Sequence, residues 1–348
     1  MFGIFIDRVS KAGNISKGME FLRLMENGDT KPNAIIYNSV IDALCKDYRM
    51  DEALGLLAEM IEKGIAPNVV TYNCLIRGFC YSGKWNEVKR LVTEMISYGI
   101  ALDVITYNIL IDSFSKNRLM KDAYDVYETM VQKGETPDIF TYNTLMHGYC
   151  LNGQTHIAKK VFDAMVADGL IPDITSYNIL MHGYFKRKKF EEAMNIFREI
   201  DLKGLTPDIK MYDIILKGMF QLGKCDTAKE IFRRMQLSSL KPTFYTYCVM
   251  LDGLCKNGHV DEALLLFHGM EMDGVEEDIT MYNIIIDGLC KSGRIDAARK
   301  IFHSLSLKGF DPDATTYTTM VSALCRQGLL EESEELFAQM KVNGYVGK

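Results

Sequence analysis

The segment from Val69 to Asp103 has the sequence VVTYNCLIRGFCYSGKWNEVKRLVTEMISYGIALD, and residues 104–138 repeat its pattern as VITYNILIDSFSKNRLMKDAYDVYETMVQKGETPD. A tyrosine recurs at intervals of 35 residues, at Tyr37, Tyr72, Tyr107, Tyr142, Tyr177, Tyr212, Tyr247, Tyr282 and Tyr317. Self-similarity at a fixed period of this length is typical of solenoid proteins. We therefore divide the chain into a single array of ten repeats: 1–33 (partial), 34–68, 69–103, 104–138, 139–173, 174–208, 209–243, 244–278, 279–313 and 314–348.

Each repeat is predicted to contain two α-helices and no strand. Positions 4, 7, 8, 11 and 12 of the repeat are apolar, and this spacing covers one face of a helix. A second helical face follows at positions 20, 23, 24 and 27, as in Ala263, Leu266, Phe267 and Met270. Glycine is frequent at positions 15 and 31, and all seven prolines lie at position 34, so both helices have a stop signal. The fold class is therefore an all-α solenoid of helix-turn-helix repeats.

Two further positions describe the expected core. Position 10 is small in the second to tenth repeats, and a glycine inside a helix costs about 1 kcal/mol relative to alanine, which indicates a close approach of two helices. Position 12 is on the apolar side and carries six of the nine cysteines, which we expect to be buried free thiols. These cysteines are Cys45, Cys80, Cys150, Cys255, Cys290 and Cys325. A reducing compartment is expected.

The other side of the first helix carries a recurring stripe. Positions 2, 5, 9 and 13 follow each other in steps of three and four residues, so they form one line on the helix surface. We call these positions, together with position 35 in the adjoining loop, the binding stripe. Asparagine is a poor former of helix interiors, so its recurrence at position 5 indicates either an inter-repeat hydrogen bond or a ligand. Position 5 is Asn38, Asn73, Asn108, Asn143, Asn178 and Asn283, and position 35 is Asp103, Asp138, Asp173, Asp208, Asp278 and Asp313.

Three segments carry a resemblance to a known family: TYNTLMHGYCLNG (141–153), TYCVMLDGLCKNGHVDEALLLFHGM (246–270) and MYNIIIDGLCKSGRIDAARKIF (281–302). They resemble the P-class pentatricopeptide repeat (PPR), and within it the plant restorer-of-fertility-like branch. Tetratricopeptide repeats fit less well, because the chain has one tryptophan and lacks their Trp, Leu-Gly, Tyr pattern. The resemblance implies a right-handed superhelix that binds single-stranded RNA, one base per repeat, mostly in organelles.

The chemistry of positions 5 and 35 suits uracil. An asparagine amide donates to a carbonyl oxygen of the base, and a carboxylate, or a water that it orients, accepts from N3–H. Asn with Asp therefore favours uracil, Asn with Asn tolerates cytosine or uracil, and the code that the resemblance implies is the same. Taken from the RNA 5′ end, the second repeat (Asn38, Asn68) is predicted to recognise C or U, the third to sixth (Asn73, Asp103; Asn108, Asp138; Asn143, Asp173; Asn178, Asp208) UUUU, and the ninth (Asn283, Asp313) U.

The remaining repeats are not assigned in this way. The seventh has Asp213 with Thr243 and the eighth has Cys248 with Asp278, and both pairs depart from the code. Thr318 of the tenth repeat leans towards a purine, but Lys348 at its position 35 is outside the code. The partial first repeat, with Gly3 and Asn33 at the equivalent positions, is expected to be silent.

Two further columns complete the binding stripe. Position 2 is expected to sandwich the bases and is Ile35, Val70, Ile105, Phe140, Thr175, Lys210, Tyr245, Thr280 and Thr315. Position 13 is expected to contact phosphates and carries Lys11, Lys46, Lys116, Lys186, Lys256, Lys291 and Arg326. Cations near a helix C-terminus also favour the helix dipole, so each lysine alone has a second explanation. The net charge of -6 is expected to lie largely on the second helices.

We find no signature of an enzyme, and no cofactor or metal is expected. The chain has no Cys-x-x-Cys and no His-x-Glu, so the zinc-deaminase signature of some relatives is absent. A phosphate-binding glycine-rich loop is also absent. His147 and His182 both occupy position 9, where a metal or acid–base pair is conceivable, but a simple replacement of the aspartates found there in other repeats is favoured. No apolar run is long enough for a membrane span, and we identify no transit peptide.

A rival interpretation is a scaffold whose concave face binds a peptide, with position 5 clamping the peptide backbone. If the ligand is RNA, the chain can process, stabilise or mask a transcript, alone or with a partner nuclease, and the sequence does not separate these roles. The resemblance favours the mitochondrion, with the chloroplast as alternative. No polar capping helix is evident at either end, so the chain is expected to be a segment of a longer array or a shortened relative, and end-to-end self-association is a hypothesis.

Overall fold

The computed structural model describes residues 15–28, 31–238, 240–270 and 275–345. Within these ranges there are nineteen α-helices and no strand. They are α1 (Ile15–Asn27), α2 (Ala34–Lys46), α3 (Met50–Glu62), α4 (Val69–Tyr81), α5 (Trp85–Ser97), α6 (Val104–Lys116), α7 (Met120–Gln132), α8 (Ile139–Leu151), α9 (Thr155–Ala167), α10 (Ile174–Lys186), α11 (Phe190–Leu202), α12 (Ile209–Gln221), α13 (Cys225–Leu237), α14 (Phe244–Lys256), α15 (Val260–Gly269), α16 (Ile279–Lys291), α17 (Ile295–Leu307), α18 (Ala314–Arg326) and α19 (Leu330–Val342).

The chain divides into two compact bodies, Met1–Gly183 and Tyr184–Lys348. Inside each body, the first helix of a repeat packs against its own second helix and against the first helix of the next repeat. In the N-terminal body α4 packs on α5 and α6, and in the C-terminal body α14 packs on α15 and α16. The predicted all-α solenoid of helix-turn-helix repeats is confirmed.

Position 35 explains where the first helices begin. Asp138 is the N-cap of α8: its carboxylate accepts from the backbone N–H of Thr141, and the Thr141 hydroxyl accepts in return from the backbone N–H of Asp138. This capping box satisfies N–H groups that have no partner inside the helix. The same arrangement opens α4, α6, α14 and α18.

Position 15 explains where the first helices end. The residue there has a positive φ in each repeat from the second to the tenth, which is the left-handed conformation that ends helices. Six repeats place glycine at this position, but Tyr48, Arg118 and Lys188 occupy it with φ values of 60°, 61° and 58°. The predicted glycine stop is confirmed, and three repeats adopt it without glycine. Most second helices carry acidic residues in the first turn, two each in α3 and α15, which suits the positive end of the helix dipole.

The recurring tyrosine at position 4 joins successive repeats in the core. Tyr177 is 1% exposed, and its ring packs edge-on against Phe162 of the preceding second helix, with ring centroids 5.3 Å apart. Tyr247 and Phe232 pack in the same way at 5.6 Å. Such aromatic pairs contribute about 0.5–1.5 kcal/mol beyond their buried area.

The small residue at position 10 faces position 12 of the preceding repeat. A Cβ added to Gly78 would lie 2.8 Å from the Cβ of Cys45, closer than packed carbon atoms approach. A Cβ on Gly218 or Gly253 would overlap a phenylalanine ring, Phe185 and Phe220 respectively. The predicted close approach of neighbouring helices is confirmed, and its partner is now identified.

The cysteines are free thiols, and four of the six at position 12 are buried. Burial raises the pKa of Cys150 to about 12, so this thiol is unreactive. The prediction was wrong for Cys325, which is exposed on α18, and Cys255 is only partly buried.

Candidate nucleic-acid interface

The two side chains predicted to recognise a base are in direct contact. The Nδ2 of Asn108 donates to Oδ1 of Asp138 at 3.2 Å, although 30 residues separate them. Equivalent bonds join Asn73 to Asp103 at 3.3 Å and Asn143 to Asp173 at 3.2 Å. The second repeat has the same bond between Asn38 and Asn68, and the ninth has it between Asn283 and Asp313.

A third residue completes this pair, at position 3 of the following repeat. The Thr141 hydroxyl donates to Oδ1 of Asn108 at 2.6 Å, and it lies 2.8 Å from Oδ1 of Asp138. Thr71, Thr106, Ser176 and Thr316 make the same bond to their asparagines. An inter-repeat hydrogen bond therefore accounts for asparagine at position 5. Position 3 was not among the predicted site residues, although a hydroxyl recurs there with the same period.

This network leaves a defined set of groups for a ligand. An amide has two N–H donors and a carboxylate has two oxygens, and in the third to fifth repeats the network uses one donor and one oxygen. Asn108 is 6% exposed and Asp138 is exposed, so the pair lies at the protein surface. Each such pair offers an N–H donor next to an anionic acceptor.

The position 2 side chains are solvent-exposed in all nine repeats where the structure describes them. Ile105 and Phe140, from consecutive repeats, line one cleft of about 380 Å³ together with Asn108 and Asp138. Phe140 is 56% exposed, although phenylalanine is among the residue types most often buried. Two apolar side chains thus flank one polar pair, as a base sandwich requires. The others at this position are Ile35, Val70, Thr175, Lys210, Tyr245, Thr280 and Thr315.

The position 13 cations lie on the same surface, but four of them are paired with the aspartate at position 9. Lys116 lies 2.6 Å from Asp112, and the bonds of Lys46, Lys256 and Lys291 to their aspartates are 2.5–2.8 Å long. Their side chains are 51–61% exposed, and an exposed pair of this kind contributes about 0.3–0.5 kcal/mol. Each of these pairs therefore costs little to break. Lys186 is exposed, Arg326 donates to the backbone oxygen of Ser322, and Lys11 lies outside the described residues.

Models of two repeat families match almost the whole chain from residue 32 to 345. The model described as the PPR repeat family matches residues 32–81, 67–116, 102–150, 137–184, 172–221, 207–256 and 277–326. The model described as the PPR repeat matches residues 245–275 and 315–345. This chain belongs to the PPR repeat family. The family predicted from the repeat sequence is confirmed.

Solved structures of PPR proteins share the fold. The chain is similar to the pentatricopeptide repeat protein PPR10 in complex with an 18-nt psaJ RNA element, with 24% identity and a TM-score of 0.63 over 100% of this chain and 56% of that one. It is also similar to PPR10 from maize, with 23% identity and a TM-score of 0.56 over 99% of this chain and 58% of that one. The chain thus spans little more than half the length of these proteins. No curated protein sequence matches it significantly.

Two cations of this PPR array were not predicted as phosphate contacts, because they occupy position 9 and the prediction considered only position 13. Arg77 lines the cleft with Asn108 and Phe140, and it lies 4.0 Å from Asp42 of the preceding repeat. Lys217 lines a second cleft, of about 460 Å³, with Tyr245 and Cys248. The signal was available, since positions 9 and 13 are neighbours on the helix and both these repeats lack a cation at position 13.

The seventh, eighth and tenth repeats lack the Asn–Asp pair. Asp213 and Cys248 are half-buried, and the exposed Thr318 hydroxyl donates to Ala314 of its own helix at 2.7 Å. Thr243 and Asp278 are N-caps of α14 and α16. In the sixth repeat, Asn178 is buried on α10, and Asp208 caps α12.

The pKa values of Asp313, at position 35, and Asp213, at position 5, are shifted in opposite directions. Burial raises the pKa of Asp313, but hydrogen bonds from Thr316 and Asn283 outweigh it, and the net pKa lies below the usual range. Burial raises the pKa of Asp213, the Thr246 hydroxyl opposes this, and the charge of Asp208 adds to it. The carboxylate of Asp313 is therefore stabilised in its anionic form, whereas that of Asp213 is destabilised.

His147 and His182 are exposed on α8 and α10. In the part of the chain that the structure describes, no three His, Cys, Asp or Glu side chains lie close enough to hold a metal ion. None of the described helices combines the length and apolar character that crossing a membrane requires.

Proposed function

We propose that this PPR protein binds single-stranded RNA sequence-specifically, with one repeat for each base. The observation that carries the proposal is the Asn–Asp pair, which recurs at the 35-residue period beside the exposed side chains of position 2. A peptide-binding surface needs no such pairing of a fixed donor with a fixed acceptor.

The pair suits uracil for a specific reason. The remaining asparagine N–H can donate to a uracil carbonyl oxygen, and the remaining aspartate oxygen, directly or through water, accepts from N3–H. Cytosine has no proton on N3, so it leaves the aspartate without a donor, which is costly in a partly buried site. In the second repeat Asn68 replaces the aspartate, and we propose that this repeat accepts either pyrimidine.

We propose that the preferred RNA is 5′-(C/U)UUUUNNU-3′, with the N-terminal repeats at the 5′ end. The pairs Asn38–Asn68, Asn73–Asp103, Asn108–Asp138, Asn143–Asp173, Asn178–Asp208 and Asn283–Asp313 assign six of these bases. The similar fold of PPR10, solved with an 18-nt RNA, supports an RNA ligand for an array of this kind. The bases stack between position 2 side chains, of which Ile105 and Phe140 line one cleft.

The column of cations at position 13, joined by Arg77 and Lys217 at position 9, is proposed to follow the phosphates. The aspartates at position 9 hold the lysines in place when no RNA is bound. Replacing an exposed carboxylate by a phosphate keeps each lysine neutralised and releases counterions from the RNA, which favours binding at low salt. The net charge of -6 does not oppose this, because binding depends on the local charge of the stripe.

We propose that the protein acts on organellar RNA, in its processing, stabilisation or masking, and that it belongs to the restorer-of-fertility-like branch. The mitochondrion is the proposed compartment, with the chloroplast as alternative. If a partner nuclease acts on the transcript, RNA binding by this protein would only select the transcript to which the nuclease is brought. We also propose that copies of this chain associate end to end through their terminal repeats.

Fluorescence anisotropy with a labelled RNA that contains (C/U)UUUUNNU tests the proposal. We expect tight binding to this RNA and weak binding both to the RNA whose four uracils are replaced by adenines and to the matching duplex. If the folded protein binds none of these RNAs, the proposed function is wrong and the peptide-binding scaffold becomes the better explanation. Equal binding to the uracil and adenine RNAs would exclude base recognition by the Asn–Asp pairs.

A further inference from the structure

The seventh repeat (209–243) differs from the others at both base-recognition positions. Asp213 replaces asparagine at position 5, and Thr243 replaces aspartate at position 35. The Oδ1 of Asp213 is buried, and among the described residues it has no hydrogen-bond partner. Thr243 still caps α14, and its hydroxyl lies 3.0 Å from the hydroxyl of Thr246.

This change exchanges a donor for an acceptor. In the third to fifth repeats, position 5 offers an amide N–H, whereas an ionised carboxylate can only accept. Burial raises the pKa of Asp213, so its anionic form is less stable than that of an exposed aspartate. The Thr246 hydroxyl offsets this only in part, and a ligand that supplies donors to the carboxylate would stabilise its anionic form further.

The four bases differ in the donors they offer at the Watson–Crick edge. Uracil has one donor between two carbonyl oxygens, which would face the carboxylate with the same sign of charge. Cytosine and adenine each have an amino donor next to a ring nitrogen that is itself an acceptor. Guanine alone has two adjacent donors, N1–H and the amino group, and these match the two oxygens of a carboxylate in a charge-assisted pair. The broad χ2 torsion of aspartate lets either oxygen turn towards the base.

The neighbouring side chains also suit a purine. By the repeat spacing, Lys210 and Tyr245 occupy the places that Ile105 and Phe140 hold around the Asn108–Asp138 pair. Both are exposed, and Tyr245 also lines the second cleft, whose position 5 residue is Cys248 of the eighth repeat. An aromatic ring stacks on any base, and a purine offers it the larger surface. Lysine is also a common donor to O6 and N7 of guanine.

We propose that the seventh repeat recognises guanine through Asp213, with Tyr245 stacking on the base. The inference rests on the proposed RNA-binding function and assigns one of its two open positions, so that the preferred RNA becomes 5′-(C/U)UUUUGNU-3′. Thr243 is uncharged and does not repel the carbonyl oxygen O6 of guanine. In this proposal, Asp213 alone recognises the base.

Four RNAs that differ only at this base test the inference. We expect 5′-CUUUUGAU-3′, in fixed unstructured flanks, to bind about tenfold more tightly than the same RNA with uracil at the sixth base, the size of discrimination that one good pair provides. Equal affinity for all four bases, or tightest binding to a base other than guanine, refutes the inference. In that case binding that still depends on the four uracils leaves the proposed function intact. If none of the RNAs binds, both proposals fail.

Two double variants give matched controls. Asp213→Asn with Thr243→Asp rebuilds the pair of the third to fifth repeats, and we expect its preference at this base to change from guanine to uracil. Asn108→Asp with Asp138→Thr moves the seventh pair into the fourth repeat, and we expect preference there to change from uracil to guanine. A transplanted pair that still prefers uracil contradicts the role given to Asp213. Circular dichroism melts verify that each variant is folded.

Discussion

The aspartates at position 35 serve folding and the proposed recognition at once. Asp138 caps α8 through the backbone N–H of Thr141, and the same oxygen accepts from Asn108. A variant that removes this carboxylate therefore changes helix stability as well as base preference. A residue other than aspartate can preserve the cap: Asn68 occupies position 35 and caps α4 with its side-chain amide. Variants at position 35 are best made with another good N-cap residue.

Asn143→Thr together with Asp173→Asn tests whether recognition is modular. Both new residues already occur at these positions elsewhere in the chain, as Thr318 and Asn68. We expect the loss of uracil preference at the one base that faces the fifth repeat, with preferences at all other bases unchanged. Competition binding with RNAs substituted one base at a time measures this. A uniform loss of affinity at every base would contradict one-repeat, one-base recognition.

Arg118 adopts a left-handed conformation, with φ of 61°, at a place where six other repeats have glycine. This conformation costs a residue with a Cβ about 1–2 kcal/mol, and the greater freedom of glycine in the unfolded chain offsets part of the gain from removing that cost. We expect Arg118→Gly to raise the free energy of unfolding by about 1 kcal/mol, as measured by urea denaturation.

The reverse substitution is the control. Gly153 has φ of 74° in the equivalent turn of the next repeat, so Gly153→Ala is expected to lower the free energy of unfolding by about 1 kcal/mol. Changes of the same sign in both variants would show that the turn conformation does not decide their stability.

The helices are held together by a contact that depends on the absence of a side chain. Position 10 of one first helix lies against position 12 of the preceding one, and phenylalanine at position 12 requires glycine at position 10 in the next repeat, as in the pairs Phe185–Gly218 and Phe220–Gly253. Alanine at position 10 occurs as Ala323, opposite the smaller Cys290. The spacing of neighbouring helices is therefore set by pairs of residues that are 33 positions apart.

Gly253→Ala tests this packing. Alanine favours a helix over glycine by about 1 kcal/mol, but its methyl group would overlap the Phe220 ring. We expect a net loss of about 1–3 kcal/mol, the range that overpacking costs. The matched control is Gly55→Ala in α3, where no atom lies within 4 Å of the added Cβ. This variant should gain up to about 1 kcal/mol in the same urea titration. A stabilised Gly253→Ala would contradict the steric explanation.

The chain as a whole is acidic, with a net charge of -6, and yet its proposed ligand is a polyanion. Part of the acid lies on the binding stripe itself, where Asp42, Asp112, Asp252 and Asp287 neutralise lysines. The expectation that the acid lies away from the stripe therefore holds only in part. Because each of these pairs is exposed and weak, a phosphate can take the place of the aspartate beside a lysine although the net charge of the Lys–Asp pair is zero.

Replacement of Lys116 and Lys186 by glutamine tests the phosphate column. We expect weaker binding to every RNA sequence and a salt dependence whose slope falls by about 1 for each phosphate-binding lysine that is replaced. The control is the replacement of Lys121 and Lys300, which are exposed on second helices and change the net charge equally. Titrations at several salt concentrations measure both variants. An unchanged slope for the Lys116 and Lys186 variant would show that these lysines do not bind phosphate.

The sequence alone determined the repeat, its two helices and the stripe of residues that the proposed function uses, although the N-caps at position 35 were not predicted. These features depend on residues that are near each other in the chain: the side-chain period of a helix, the Asp138–Thr141 capping box and the left-handed turn at position 15 all lie within a few residues. For the same reason, the sequence already contained the pairing of Lys116 with Asp112, four residues apart, although this pair was not predicted.

Only the tertiary structure decided which atoms meet across repeats. Asn108 bonds with Asp138 and Thr141, 30 and 33 residues away, and this showed that an inter-repeat bond, and not a ligand alone, explains the asparagine. Burial was decided in the same way: Cys150 is covered and Cys325 is not, although both occupy position 12. The physical reason is that hydrogen bonds and burial depend on what packs against a residue, and that neighbour comes from the next repeat.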